Sequence, residues 1–100
     1  MKASNKKYCA KYRDEMITAL FFQYVRNLPK STLIEFDRIY TEETGDTLDT
    51  NFSCGHCILY LVGKVGKVYF TDYPDELTTE QKENFIPMKN RRISDGSNAG

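Results

Sequence analysis

Two thiols and an imidazole fall within four consecutive residues, Cys54-Gly55-His56-Cys57, and this segment is where reactive chemistry is concentrated. Only the thiolate of a cysteine is a good nucleophile. A cysteine at the first turn of a helix meets unpaired amides and the positive end of the helix dipole, both of which favour that form. Cys57 follows one helical turn later, a spacing that also permits a reversible disulfide. The same atom types suit tetrahedral zinc, for which Cys54 and Cys57 would form a two-ligand knuckle. A second ligand pair is missing, however, and His56 is too close in sequence to close a site with both neighbours. Cys9 would add a ligand only if the first helix began beside the third, so zinc is expected only as an ion shared between two chains. The plainest reading makes the cysteines structural: small apolar residues packing a helix start, with His56 on the solvent side.

Other reactive constellations are not supported. Gly63-Lys64-Val65-Gly66-Lys67 lacks the spacing of a phosphate-binding loop. No serine is placed with a histidine and an acid in a hydrolytic order. The acidic residues of 35–49 do not follow the calcium-loop pattern and read as a solvated helix face.

Helices must position the cysteines. From Lys6 to Leu28, Met16, Ile17, Leu20, Phe21, Tyr24, Val25 and Leu28 recur at three- and four-residue steps, predicting one long amphipathic helix that Pro29 ends. Thr32-Leu33-Ile34-Glu35 reads as a capping box opening a second helix, with Leu33, Phe36, Ile39 and Tyr40 inward and Gly45 as its stop. Ser53 is the expected N-cap of a third helix, whose apolar face is Ile58, Leu61, Val62, Val65, Val68 and Tyr69. Gly63 and Gly66 weaken that helix, and the alternative is an α+β chain with a hairpin over 58–71. The helix is preferred because its period also explains Val65. Thr78-Thr79-Glu80-Gln81 is a further capping box, opening a short helix that carries Phe85 and Ile86 up to Pro87.

The expected fold is mainly α: a single three- or four-helix domain over residues 1–87 and a disordered tail over 88–100. Its first two helices form an antiparallel pair, and the third packs across them. A chain of 100 residues with 40% hydrophobic and 28% charged positions builds one core of this kind. Residues 1–30 are mostly basic in their charge and 31–50 mostly acidic, which fits two helices whose solvated faces attract. With a net charge of zero, nucleic acid is not the expected partner. No apolar stretch is long enough to cross a bilayer, and the opening Met1 to Lys7 is polar. Three cysteines are an odd number, which fits a reducing compartment, and a cytoplasmic location is expected.

Seven tyrosines and six phenylalanines exceed what one small core requires. Tyr12, Phe22, Tyr60 and Tyr73 fall off the main apolar stripes and are the candidate residues for binding a protein partner, with self-association left open.

Two resemblances bear on function. The tetrapeptide at 54–57 resembles the active site of the protein disulfide isomerases, which implies Cys54 as the attacking thiol and Cys57 as the resolving one. The resemblance covers four residues. No buried strand leads directly into the motif, Phe52-Ser53 stand where that family usually has a tryptophan, and no Thr-Pro dipeptide follows to supply its cis-proline. The order Ile39-Tyr40, Thr44-Gly45, Cys-x-x-Cys and Gly66-Lys67-Val68-Tyr69-Phe70, over residues 33–70, resembles small helical proteins encoded by tailed bacteriophages. That resemblance implies an accessory protein contacting host or virion components, and it brings no catalytic residues or cofactor. The expected function is therefore non-catalytic protein binding with a structural cysteine pair. The alternative is a thiol–disulfide redox protein that uses Cys54 and Cys57.

Overall fold

A computed structural model describes residues 1–89. The described chain is helical and contains no strand: α1 spans Ala3–Ala10, α2 Arg13–Phe22, α3 Lys30–Thr44, α4 Gly55–Asp72 and α5 Thr79–Asn84, with a 3₁₀ turn at Pro74–Glu76. The mainly α expectation holds. The hairpin alternative over 58–71 is overturned, because that whole segment lies inside α4.

α4 is the central rod. Leu61, Val62, Val65, Val68, Tyr69 and Phe70 on it are all buried, and the helix packs against both α2 and α3. The period of 3.6 residues puts Val65 on the same side as Leu61, Val62 and Tyr69, so burial of that side stabilises a helix over any hairpin. Gly66 decides how close α2 comes. A Cβ there would lie 3.0 Å from Met16 Cβ and 3.1 Å from Leu20 Cδ1, so the missing side chain is what lets the two helices approach. Gly63, one turn nearer the start, has nothing within 4 Å of the same position.

The predicted long first helix is corrected in two places. It breaks at Lys11 and Tyr12, where the Tyr12 N–H donates to the Cys9 carbonyl (2.8 Å) and the Met16 N–H to the Tyr12 carbonyl (3.0 Å). The break frees α1 from the line of α2, so that α1 lies along α3 while α2 lies along α4. Lys2 and Asn5 meet Glu42 and Glu43 at the end of α3, and the Tyr12 hydroxyl shares a 3.3 Å hydrogen bond with Thr32 near its start. Of the expected antiparallel pair of first and second helices, only the α1 segment runs against α3, and α2 packs on α4 instead.

The second correction is that α2 stops at Phe22 and not near Leu28. Gln23 takes a left-handed conformation (φ 55°), and the Tyr24 N–H reaches the Thr18 carbonyl (3.2 Å). Arg26 then ion-pairs with Glu15. In a continuous helix these residues would be about 16 Å apart along the axis, so the pair requires the chain to turn back.

The start of α3 also differs from expectation. Pro29 is its N-cap, with the Thr32 and Leu33 amides donating to the Pro29 carbonyl (3.0 and 3.2 Å). Thr32 is therefore buried within the helix and directs its hydroxyl to Tyr12, so it does not cap. Gly45 ends α3 in the left-handed region (φ 82°), as expected. Thr78 and Gln81 form both halves of the predicted capping box (2.9 and 3.1 Å). Phe85 and Ile86 lie just past α5. The Met88 N–H donates to Thr71 Oγ1 (2.9 Å), so the chain is docked one residue beyond the expected domain limit. The rest of the predicted tail, 90–100, lies outside the described residues.

One end of the bundle is closed by charge. The Met1 ammonium, buried, lies 2.7 Å from Asp72 Oδ2 at the end of α4 and 3.8 Å from Glu43 Oε1 at the end of α3. A cation is favoured where two helices present their carbonyl ends.

Two predictions follow from the packing. Gly63→Ala should raise the unfolding free energy by about 0.5–1 kcal/mol, because open space receives the methyl and the helix gains propensity. Gly66→Ala should lower it by about 1–2 kcal/mol, because Met16 Cβ cannot yield without moving α2. Urea titration of both variants measures this, and a stabilised Gly66→Ala would contradict the contact. The second concerns acid. Hydrogen bonds from Lys2, Asn5 and Arg38 hold Glu42 at about 2, so its contribution is complete above the ordinary carboxylate range and is lost as the pH falls toward 2. Glu42→Gln should therefore flatten the loss of stability between about pH 5 and pH 2, as read by thermal melts across that range.

Candidate functional site

The start of α4 gathers the reactive groups. Cys54, not Ser53, is the N-cap: its backbone is extended (φ −110°, ψ 116°), and its Sγ accepts the Cys57 amide at 3.2 Å. The Cys54 N–H donates in turn to the Asn51 carbonyl (3.1 Å). Ser53 is held just outside by its own N–H to Asn51 Oδ1 (2.9 Å). A thiol, larger than a serine hydroxyl and a weaker acceptor, thus does the capping, and the sequence preference for serine points one residue too early.

The two thiols are made unequal by this arrangement. A hydrogen bond from the Cys57 thiol, and then the Cys57 amide, pull the Cys54 thiol below its usual range. The same thiol–thiol hydrogen bond pushes Cys57 up. Both side chains are half-buried and reduced. His56 is exposed, as expected. Cys9 lies far inside, 0% exposed, and burial pushes its thiol up to about 12. Among the described residues no three His, Cys, Asp or Glu side chains come together as a metal site.

Two grooves flank the exposed side of α4. One, about 270 Å³, runs between α2 and α4 and is lined by Leu20, Gln23, His56, Tyr60, Lys64 and Lys67 among others. The other, about 260 Å³, lies between α4 and the preceding loop and is lined by Leu48, Asp49, Asn51, His56, Cys57 and Tyr60 with Thr50. His56 and Tyr60 form the ridge between them. Lys64 Nζ stands 5.8 Å from the Tyr60 ring centre and 5.9 Å from that of Tyr40, which leaves a positive charge beside an exposed aromatic face.

The four aromatic candidates divide evenly. Phe22 is 70% exposed and Tyr60 58%. Tyr12 packs edge-on against Phe36, and Tyr73 packs on Tyr69 and donates its hydroxyl to the Met1 carbonyl (3.1 Å), so both are occupied inside the fold. No family model, curated protein or solved structure matches this chain.

Sequence reasoning missed three exposed apolar residues: Tyr24, Ile34 and Ile86. Periodicity places Tyr24 on the inward face of a helix running to Leu28, whereas α2 ends at Phe22 and leaves it exposed. The groove also went unseen, since Gln23, His56 and Lys67 are brought together only by the packing of α2 on α4. The signal available was Gly63, a gap on the outer side of an otherwise continuous helix.

Alkylation resolves the three thiols. With iodoacetamide under non-denaturing conditions, the rate at Cys54 should rise and level off at a lower pH than the rate at Cys57, while Cys9 stays unmodified until the protein unfolds. Peptide mapping across a pH series measures the order. Equal profiles for Cys54 and Cys57 would show that the cap does not bias the pair.

Proposed function

We propose that this chain is a small non-catalytic protein-binding protein that docks a partner along the groove between α2 and α4. The observation that carries the reading is the exposure of Tyr60 on the groove, with Phe22, also exposed, next in sequence to Gln23 of its α2 wall. An aromatic ring left in water beside a concave, partly apolar surface gains by being covered. Lys64 and Lys67 border the same groove, so the fitting partner is a protein segment that places an apolar side chain against Tyr60 and carboxylates toward the two lysines. Such binding works by occlusion or scaffolding and needs no turnover. It agrees with the accessory role that the resemblance to phage-encoded helical proteins implies.

No helix of the described residues is long and apolar enough to cross a membrane. The test is site-specific photocrosslinking in the native host. A photoreactive phenylalanine analogue at position 60 or 22 should give one discrete adduct with a second protein, and the same group at Glu83, on α5, should not. Loss of that adduct in a Lys64→Glu, Lys67→Glu background supports the charge pattern. Equal labelling from all three positions, or an adduct only with a second copy of the chain, would overturn the reading.

A further inference from the structure

Cys54 and Cys57 play no part in that docking face, and their placement suits a different chemistry. The Cys54 sulfur already accepts a fixed backbone donor at 3.2 Å, so negative charge on it is solvated by the protein before any reaction begins. Cys54 is only half-buried and Gly55 beside it is exposed, with nothing within 4 Å of where a Cβ would stand. Cys57 borders the groove of about 260 Å³ against the 48–51 loop, a space that accommodates a small thiol-bearing molecule. The only other thiol, Cys9, is 0% exposed and does not compete.

We propose that Cys54 and Cys57 form a dithiol site oxidised by low-molecular-weight disulfides, with Cys54 as the attacking thiol and Cys57 as the resolving thiol. In the first step the Cys54 thiolate attacks one sulfur of the disulfide R–S–S–R. A Cys54–S–S–R bond forms, the original S–S bond breaks, and one RS⁻ leaves and takes a proton from solvent. Cys57 then gives up its proton and attacks Cys54 Sγ, forming the Cys54–Cys57 bond and expelling the second RS⁻, which is protonated in turn. Two thiols of the protein are oxidised and one disulfide is reduced to two thiols.

Closure needs little movement. Side chains three apart on a helix have Cβ atoms about 5–6 Å apart, and a disulfide holds them at about 3.5–4.5 Å. Cys54 stands outside the helix with an extended backbone and is followed by a glycine, so the first turn can tighten there without disturbing the packed part of α4. The lowered thiol of Cys54 and the raised thiol of Cys57 agree with the assigned order.

The experiment uses the full chain in buffers of oxidised and reduced glutathione, quenched with acid and mapped by mass spectrometry. The wild type is expected to lose two hydrogens as a Cys54–Cys57 disulfide and to retain no glutathione. Cys57→Ser should accumulate glutathione on Cys54, and Cys54→Ser should be modified at Cys57 at least about tenfold more slowly. Far-UV circular dichroism checks that both variants stay helical, and the wild-type arm needs no variant. A wild type that stays reduced, or that carries stable glutathione on either sulfur, overturns the proposal. So does a folded Cys54→Ser that reacts as fast as Cys57→Ser.

Discussion

The approach of α2 to α4 at Gly66 is the contact on which the rest of the molecule depends. A helix interior gives up about 1 kcal/mol for a glycine, and here the return is a surface flat enough for Met16 Cβ to sit 3.0 Å from the missing side chain. With α2 held so close, the break at Tyr12 and the early stop at Phe22 become necessary. The residues before α2 must leave its axis to cover α3, and those after it must turn back so that Arg26 meets Glu15. Burial of Leu61, Val62, Val65, Val68, Tyr69 and Phe70 then has partners on two sides.

The two ends of α4 are finished differently, and the difference places the chemistry. At its end, Asp72 is buried against the Met1 ammonium, Tyr69 donates to Glu76 (2.7 Å) and Tyr73 reaches Met1. Charges and hydroxyls there are consumed in holding α1, α3 and α4 together. The polar ties at the start of α4 are short loop contacts at Asn51 and the cysteine cap, beside the packing of Phe52 and Ile58 on the core. Reactive and aromatic groups are therefore displayed where the fold needs them least, which is where change of state costs the least stability.

Much of this was legible in the sequence. The inward face of α4 and the stop at Gly45 follow from periodicity and from one residue's tolerance of positive φ. The box at Thr78 follows from hydrogen-bonding side chains at fixed offsets. These signals are local, and local geometry suffices to realise them. The break at Tyr12 and the reversal after Phe22 are not local. Residues 6–28 carry an unbroken helical pattern, and only the competing demands of α3 on Tyr8 and Tyr12, and of Glu15 on Arg26, decide against one rod. Thr32 misled for a related reason: a hydroxyl with capping chemistry was used for a tertiary bond. The cysteine pair was found from its spacing alone, whereas the capping role of Cys54 required the backbone. The binding groove could not be read from one segment, because its two walls come from different helices.

A rod clasped by a second helix at a glycine also explains why a chain of this size can leave Phe22 and Tyr60 in solvent: the core is complete without them. The most direct test is amide hydrogen exchange on the full chain, followed residue by residue. The amides of Leu61 to Phe70 and those of Met16 to Leu20 should exchange together and last, by a single opening of the α2–α4 pair. Exchange of Leu61 to Phe70 ahead of α3, or well separated from α2, would show that the clasp at Gly66 is not what holds the molecule.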